Sequence, residues 1–195
     1  MKKWIIIGAI ILVVILIYSS ISGSYNKMVQ KDEAVKGQWG NVENVYQRRS
    51  DLIPNLVSTV KGYADFEQKT LTDVIEARSK ATQVKISPEN LNKESLQQFQ
   101  SAQGELSSTL SRLMMVVEQY PNLKANQNFL DLQAQLEGTE NRIAVERKRF
   151  NDLSQEYNTL IRSFPKNIWA NLFGFEKKVY FEAEQGAEKA PEVKF

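Results

Sequence analysis

Arg49, Asp51, Pro54 and Asn55 fall within one run, Tyr46-Gln-Arg-Arg-Ser-Asp-Leu-Ile-Pro-Asn-Leu-Val57, inside a long helical pattern. A guanidinium beside a carboxamide can recognise an anionic or amide-bearing partner through charge-assisted hydrogen bonds. Pro54 removes one backbone donor and clashes with the carbonyl of Ser50, so an ordinary amphipathic helix has no use for it. A second group, Glu140, Asn141 and Arg142, lies on a later helical pattern, with Glu137 three residues before Glu140 on the same face. Two carboxylates so placed could share acid–base work. A solvated face or a salt-bridge pair is the simpler reading, because helical bundles without clefts seldom do carboxylate chemistry.

The chain contains neither His nor Cys. That removes Ser-His-Asp and Cys-His nucleophilic catalysis, Cys/His zinc sites and the Glu-x-x-His sites of di-iron bundles. Carboxylate acid–base work, a Lys nucleophile or an oxygen-ligand site for Ca²⁺ or Mg²⁺ would be left. The expectation is a protein that is not an enzyme, with no catalytic residue, cofactor or metal site. A lipidated N-terminal Cys and disulfides are excluded outright.

These residues must be positioned by helices, and the first begins at a membrane. Lys2 and Lys3 precede an apolar run from Trp4 to Tyr18, and no charge follows until Lys27. As helix, Trp4 to Gly23 spans about 30 Å, enough to cross a hydrocarbon core. The flanking lysines predict a cytoplasmic N-terminus, and Trp4 and Tyr18 suit the two interfaces. The competing reading is a cleaved signal peptide with Ser20-Ile21-Ser22 at the cleavage site, but the run is long for one. The expected organisation is an anchor over 1–23, a helical domain over 24–182 and a disordered charged tail over 183–195. Beyond Gly23 the 23 acidic residues are matched by the 25 basic ones less Lys2 and Lys3, and this neutrality argues against a nucleic-acid partner.

Three- and four-residue spacing runs from Tyr25 through Met28, Asp32, Val35, Trp39, Val42, Tyr46, Arg49, Ile53, Leu56, Val60, Tyr63, Glu67, Leu71, Val74 and Arg78 to Ala81. That predicts one long helix, kinked at Pro54, and its phase allows it to continue the membrane helix past a polar patch at Ser19–Ser24. Ser87 and Pro88 predict the N-cap and first turn of a second helix on Leu91, Leu96, Phe99, Leu106, Leu110, Leu113 and Val117, with a Gln/Ser/Ala-rich, weakly anchored middle. A third runs from about Ala125 to Ser163, its stripe extending to Phe164. The fold class is therefore all-α: a single transmembrane helix followed by an antiparallel bundle of three long helices and a short C-terminal one. In this up-down-up scheme the first and third helices run parallel.

Arg49, Glu67, Arg78, Glu140 and Arg147 interrupt the apolar seams. Charges there cost desolvation unless paired, so Arg49 with Glu140 reads as a register-setting ion pair. The alternative is a ligand pocket in which Asn55 and Asn141 add hydrogen bonds. Near the C-terminus Ile168, Trp169, Leu172, Phe173, Phe175, Tyr180 and Phe181 form the most aromatic stretch, which either plugs the end of the bundle or faces a partner or membrane.

Trp39-Gly-Asn-Val-Glu43, the Tyr46–Val57 run, Val60-Lys-Gly-Tyr-Ala64 and Ala77-Arg78 resemble the first-helix signature of the LemA family of bacterial membrane-anchored proteins. Tyr120-Pro-Asn-Leu-Lys-Ala125, Leu136-Glu-Gly-Thr-Glu-Asn-Arg-Ile-Ala144, Tyr157-Asn158, Phe164-Pro165, Gly174-Phe175 and Tyr180-Phe-Glu182 are similar to its later blocks. One departure is Phe150, where the family pattern has Tyr. The resemblance implies an antiparallel helical domain outside the cytoplasmic membrane, with no established catalytic activity. It further implies accessory partners, since such genes often neighbour membrane metallopeptidases or TPM-domain proteins. The expected function is a scaffold or interaction module of the bacterial envelope, single-pass in the cytoplasmic membrane, working by self-association or with a protein partner. The alternative is a regulatory accessory subunit of a membrane peptidase or TPM-domain protein, docking through Arg49–Asn55.

Overall fold

The computed structural model describes residues 2–62 and 67–182, which are helical almost throughout and contain no strand. The seam position Tyr63 and the tail over 183–195 lie outside the described residues.

Helix α1 (Lys2–Lys61) runs unbroken for 60 residues, through the polar patch and through Pro54. Ser19 meets its hydrogen-bonding need inside the helix, Oγ donating to the Leu16 carbonyl at 3.0 Å. Residues 2–20 are exposed on every side, and burial starts at Ile21 and Ser22. Among the described residues, α1 alone is long and apolar enough to cross a membrane. From Met28 onward it buries Met28, Val35, Trp39, Val42, Tyr46, Ile53, Leu56 and Val60, the stripe expected from spacing.

After Lys61 the chain reverses. Helix α2 (Gln68–Gln83) returns along α1: Arg78 lies beside Ser50, and Trp39 Nε1 donates to the Ile86 carbonyl at 2.9 Å. The expectation of one helix to Ala81 is therefore corrected. Both segments carry an apolar stripe, and folding Leu71, Val74, Ala77 and Ala81 back buries them where a straight extension would leave them in water. Pro54 causes no chain break, because its neighbours re-satisfy the carbonyl it frees: Arg78 Nε donates to the Ser50 carbonyl at 2.7 Å.

The second expected boundary also moves. Pro88–Asn90 is only a 3₁₀ turn, with no side-chain cap from Ser87. Helix α3 (Lys93–Val117) starts instead at Asn92, whose side chain accepts from the Ser95 amide in a reciprocal capping box. A short α4 (Pro121–Lys124) leads to α5 (Gln127–Arg162), and α6 (Lys166–Leu172) closes the helical part. Pairings of α1 with α5 at Lys31–Glu156, Gln38–Glu146 and Arg49–Glu140 descend one helix as they climb the other. So α1 and α5 are antiparallel, and the parallel arrangement expected for the first and third long helices is corrected by the extra reversal. The all-α antiparallel bundle on a single apolar helix stands, with an up-down-up-down order.

The pairs α1/α5 and α2/α3 pack most extensively, which leaves α3 and α5 separated by a groove. The apolar core has two parts. One, at the far end, gathers Ile53, Leu56, Val60, Val74, Leu106, Leu113, Leu123 and Phe129. The other, towards the apolar half of α1, gathers Met28, Trp39, Val42, Tyr46, Phe99, Phe150, Tyr157 and Phe181. Arg49 falls between them.

Candidate functional site

The layer between the two cores is polar. Arg49 is 1% exposed, although it carries a full charge. Its Nη1 donates to Glu140 Oε1 at 2.6 Å and to Ser107 Oγ at 2.7 Å, and its Nη2 donates to Gln103 Oε1 at 2.6 Å and to the Gln103 carbonyl at 3.3 Å. The guanidinium carbon sits 5.1 Å from the centre of the Tyr46 ring. Gln103 passes the network on, donating to the Ala81 carbonyl at 3.2 Å. One guanidinium thus bonds α1 to α3 and α5, and reaches the end of α2 through Gln103. Burial pushes the Tyr46 phenol up, against the opposing charges of Arg147 and Arg49. The cavity beside the group measures only about 30 Å³, too small for an organic ligand.

The other expected site residues lie elsewhere. Asp51, Pro54 and Asn55 are exposed on α1, and Asp51 accepts from Gln47 at 2.7 Å. Arg49 and Asn55 are six positions apart, on different faces of the helix, so no pocket joins them. Asn141 and Arg142 are exposed on α5, and Asn141 with Glu137 and Glu140 borders the groove against Ser107, Leu110 and Met114 of α3, a space of about 620 Å³. The structure brings Arg49 and Glu140 together, leaves Asp51, Pro54, Asn55, Asn141 and Arg142 on the surface, and packs Trp169 half-buried against the lower core. Gln103 and Ser107, in the stretch that composition marks as weakly anchored, are the acceptors that spacing did not single out. Among the described residues no group of three or more acidic side chains is arranged to hold a metal ion.

A second polar arrangement fixes the C-terminal segment. Gly174, at φ 75°, ends α6 with the Phe175 amide bonded to the Ala170 carbonyl at 2.9 Å, and the chain turns back up the bundle. Asn158 then holds Lys178 by its amide and its carbonyl, both at 2.8 Å. Asn151, seven residues away on the same face of α5, holds Phe181 in the same way at 2.8 and 2.9 Å. Two carboxamides imitate the edge of a strand for a segment that has none. Phe181, so placed, stacks on Trp39 at 6.0 Å and meets Phe150 edge-on at 5.5 Å. Phe150 is fully buried among these rings, so a Tyr hydroxyl there would need a partner within them. The Glu182 carbonyl accepts from Gln100 of α3 and Arg147 of α5, both at 3.2 Å, bridging the groove. At the foot, burial would raise the Asp32 carboxyl, but hydrogen bonds and charge from Lys178 and Lys36 outweigh it and hold the group below the usual aspartate range.

Trp39, Asn158, Gly174, Phe175 and Phe181 belong to separated sequence blocks that the fold gathers into this one assembly. A family model described as LemA family matches residues 38–195, which contain all of it. The chain belongs to the LemA family. It is 26% identical over 195 residues to magnetosome protein MamQ 1 of Paramagnetospirillum magneticum, covering 91% of this chain and 72% of that protein. It is 26% identical over 181 residues to magnetosome protein MamQ of Magnetospirillum gryphiswaldense, covering 84% of this chain and 66% of that one. Protein LemA of Metamycoplasma hominis is 23% identical over 184 residues, 94% of this chain and 80% of its own length. The LemA block Tyr46–Val57 thus has a physical content here. It supplies Arg49 to the polar layer, Ile53 and Leu56 to the far core, and the Ser50 carbonyl to Arg78.

Proposed function

We propose that this LemA-family chain is an anchored interaction module of the bacterial envelope, holding a rigid bundle at a fixed height above the cytoplasmic membrane with its N-terminus in the cytoplasm. The observation that carries this reading is the unbroken α1, which is an exposed apolar helix over residues 2–20 and the central stave of the bundle from Met28 onward. The paired Lys2 and Lys3 support the orientation. Relatives named as a magnetosome protein and as LemA support a membrane-associated helical protein.

The surface it offers is the groove between α3 and α5, with Leu110, Met114 and Leu136 in its floor and Glu137, Glu140 and Asn141 along its rim. Self-association through the α1 seam is disfavoured, since Met28, Val35, Trp39, Val42, Ile53 and Val60 are covered by the chain's own helices. An accessory subunit docking through Arg49–Asn55 would meet Asp51, Pro54 and Asn55 but not Arg49, which faces inward. Arg49 instead acts as the register-setting charge of the bundle.

Light scattering after size exclusion, on the full-length protein in detergent and on a piece spanning 24–195, tests the reading. A defined multimer in both, dispersed by Met114→Glu in the groove, supports an assembling module. Monomers that hold a second envelope protein, released by the same substitution, shift the reading to an accessory subunit. Monomers whose partners ignore the substitution remove the groove from the proposal.

A further inference from the structure

The foot of the bundle carries apolar side chains that the core does not use. Phe164 is 82% exposed, Ile168 51%, Leu172 69% and Phe173 45%. The expected core position of Phe164 at the end of the third stripe is thereby corrected: α5 has ended at Arg162, and its ring points out. Ile168 and Leu172 share one face of α6, with Phe164 exposed just before its first turn, while Ala170 is buried and Trp169 packs on the lower core. Outside the apolar run of α1, the other large exposed apolar side chains stand scattered, as with Ile75, Met115, Leu130 and Val145. A monomeric soluble surface seldom concentrates four of them in ten residues.

Their height in the molecule says what they meet. Helix α6 packs on α1 and α5. The Tyr25 ring of α1 lies 5.0 Å from Phe173 and 5.6 Å from Phe175, both edge-on. Tyr25 is two residues beyond Gly23, about 3 Å along the axis from the end of a span that starts at Trp4. Burial of α1 begins at Ile21 and Ser22, so the foot of the domain comes down to the rim of the span itself. Around the patch stand Lys27, Arg162, Lys166, Lys177 and Lys178, against Asp32 and Glu176, a basic excess suited to lipid phosphates.

We infer that α6 is a second membrane contact, an interfacial element whose Phe164, Ile168, Leu172 and Phe173 enter the headgroup and upper acyl region of the leaflet from which α1 emerges. The occupant of the patch is the bilayer, by continuity with the span. The exposed side chains that would be a liability in water are solvated there, while the flanking lysines reach back to the phosphates. The bundle then rests on the surface at two points, the α1 axis and α6. This rests on reading α1 as a span.

Because the chain lacks Cys, single nitroxide labels can be placed at Ile168→Cys and Leu172→Cys in the full-length protein, reconstituted in phosphatidylcholine–phosphatidylglycerol vesicles. Val13→Cys reports the span, and Gln135→Cys on exposed α5 reports water. Relaxation by oxygen, which partitions into lipid, is compared with relaxation by a water-soluble nickel chelate. The expected result is that positions 168 and 172 side with 13, relaxing more with oxygen, and that only 135 shows the reverse. Labels at 168 and 172 that follow 135, or that are shielded from both agents as in a contact between copies, overturn the inference while leaving the span intact. A label at 13 that also follows 135 overturns both.

Discussion

Glu140→Gln keeps the shape of the side chain and removes its charge, leaving the Arg49 guanidinium buried with neutral acceptors only. The Glu140 side chain is 46% exposed, so water takes over part of its role, and the expected loss in urea unfolding is about 1–2 kcal/mol, below that of a fully buried pair. Arg49→Ala should lose a similar amount, since Gln103 and Ser107 are then left without their donor. Variants that unfold at the wild-type midpoint would rule out a structural role for the pair. The pair itself was legible in the sequence, because charges at seam positions must meet something. Its neutral acceptors were not, because Gln and Ser on a helix carry no mark of the guanidinium they face. Asn158→Ala strips two backbone bonds from Lys178 and one from Tyr180 Oη. Amides of residues 176–182 should then exchange faster by about 2 kcal/mol of local opening, with those of α2 and α3 unchanged. Uniform acceleration across the bundle would mean that the segment is part of the global fold and not a separate clasp.

The elements divide into those that spacing identified and those that only tertiary contact decides. Stripes of apolar residues located α3 and α5 to within a turn or two, since burial there follows helical period. The reversal after Lys61 was not legible, because the stripe of α2 continues that of α1 in phase and Gly62 is the sole breaker at the junction. The cap of α6 is a case where one residue type is required. Gly174→Ala puts a Cβ on a left-handed residue and should cost about 1 kcal/mol, seen as a lower thermal midpoint. An unchanged midpoint would show that the turn re-forms without its glycine. The C-terminal segment also has a pH window. Asp32 bonds Lys178 at 2.6 Å and Lys36 at 2.8 Å, and its folded pKa is lowered from an ordinary 3.8. Its contribution is therefore complete above that ordinary value and lost as pH falls through the lower, folded one. Asp32→Asn should flatten the decline of stability between about pH 5 and pH 2. A decline as steep as in the parent would assign it to other carboxylates.

On the scale of the whole molecule, two layers of organisation meet in α1: it is the element long and apolar enough to cross a membrane, and a wall of both cores. Composition made the first legible, through the uncharged run after Lys3, and periodicity the second. What neither could show is that they share one uninterrupted rod, since the serines and glycine at 19–24 would serve a hinge equally well. The absence of that hinge gives the domain a compass bearing. With 3.6 residues per turn, each residue gained or lost near the membrane surface would swing everything above it by about 100° around the bilayer normal while lifting it only about 1.5 Å. Were one side of the apolar run to meet a neighbouring span, that choice of side would dictate the direction in which the α3–α5 groove looks out.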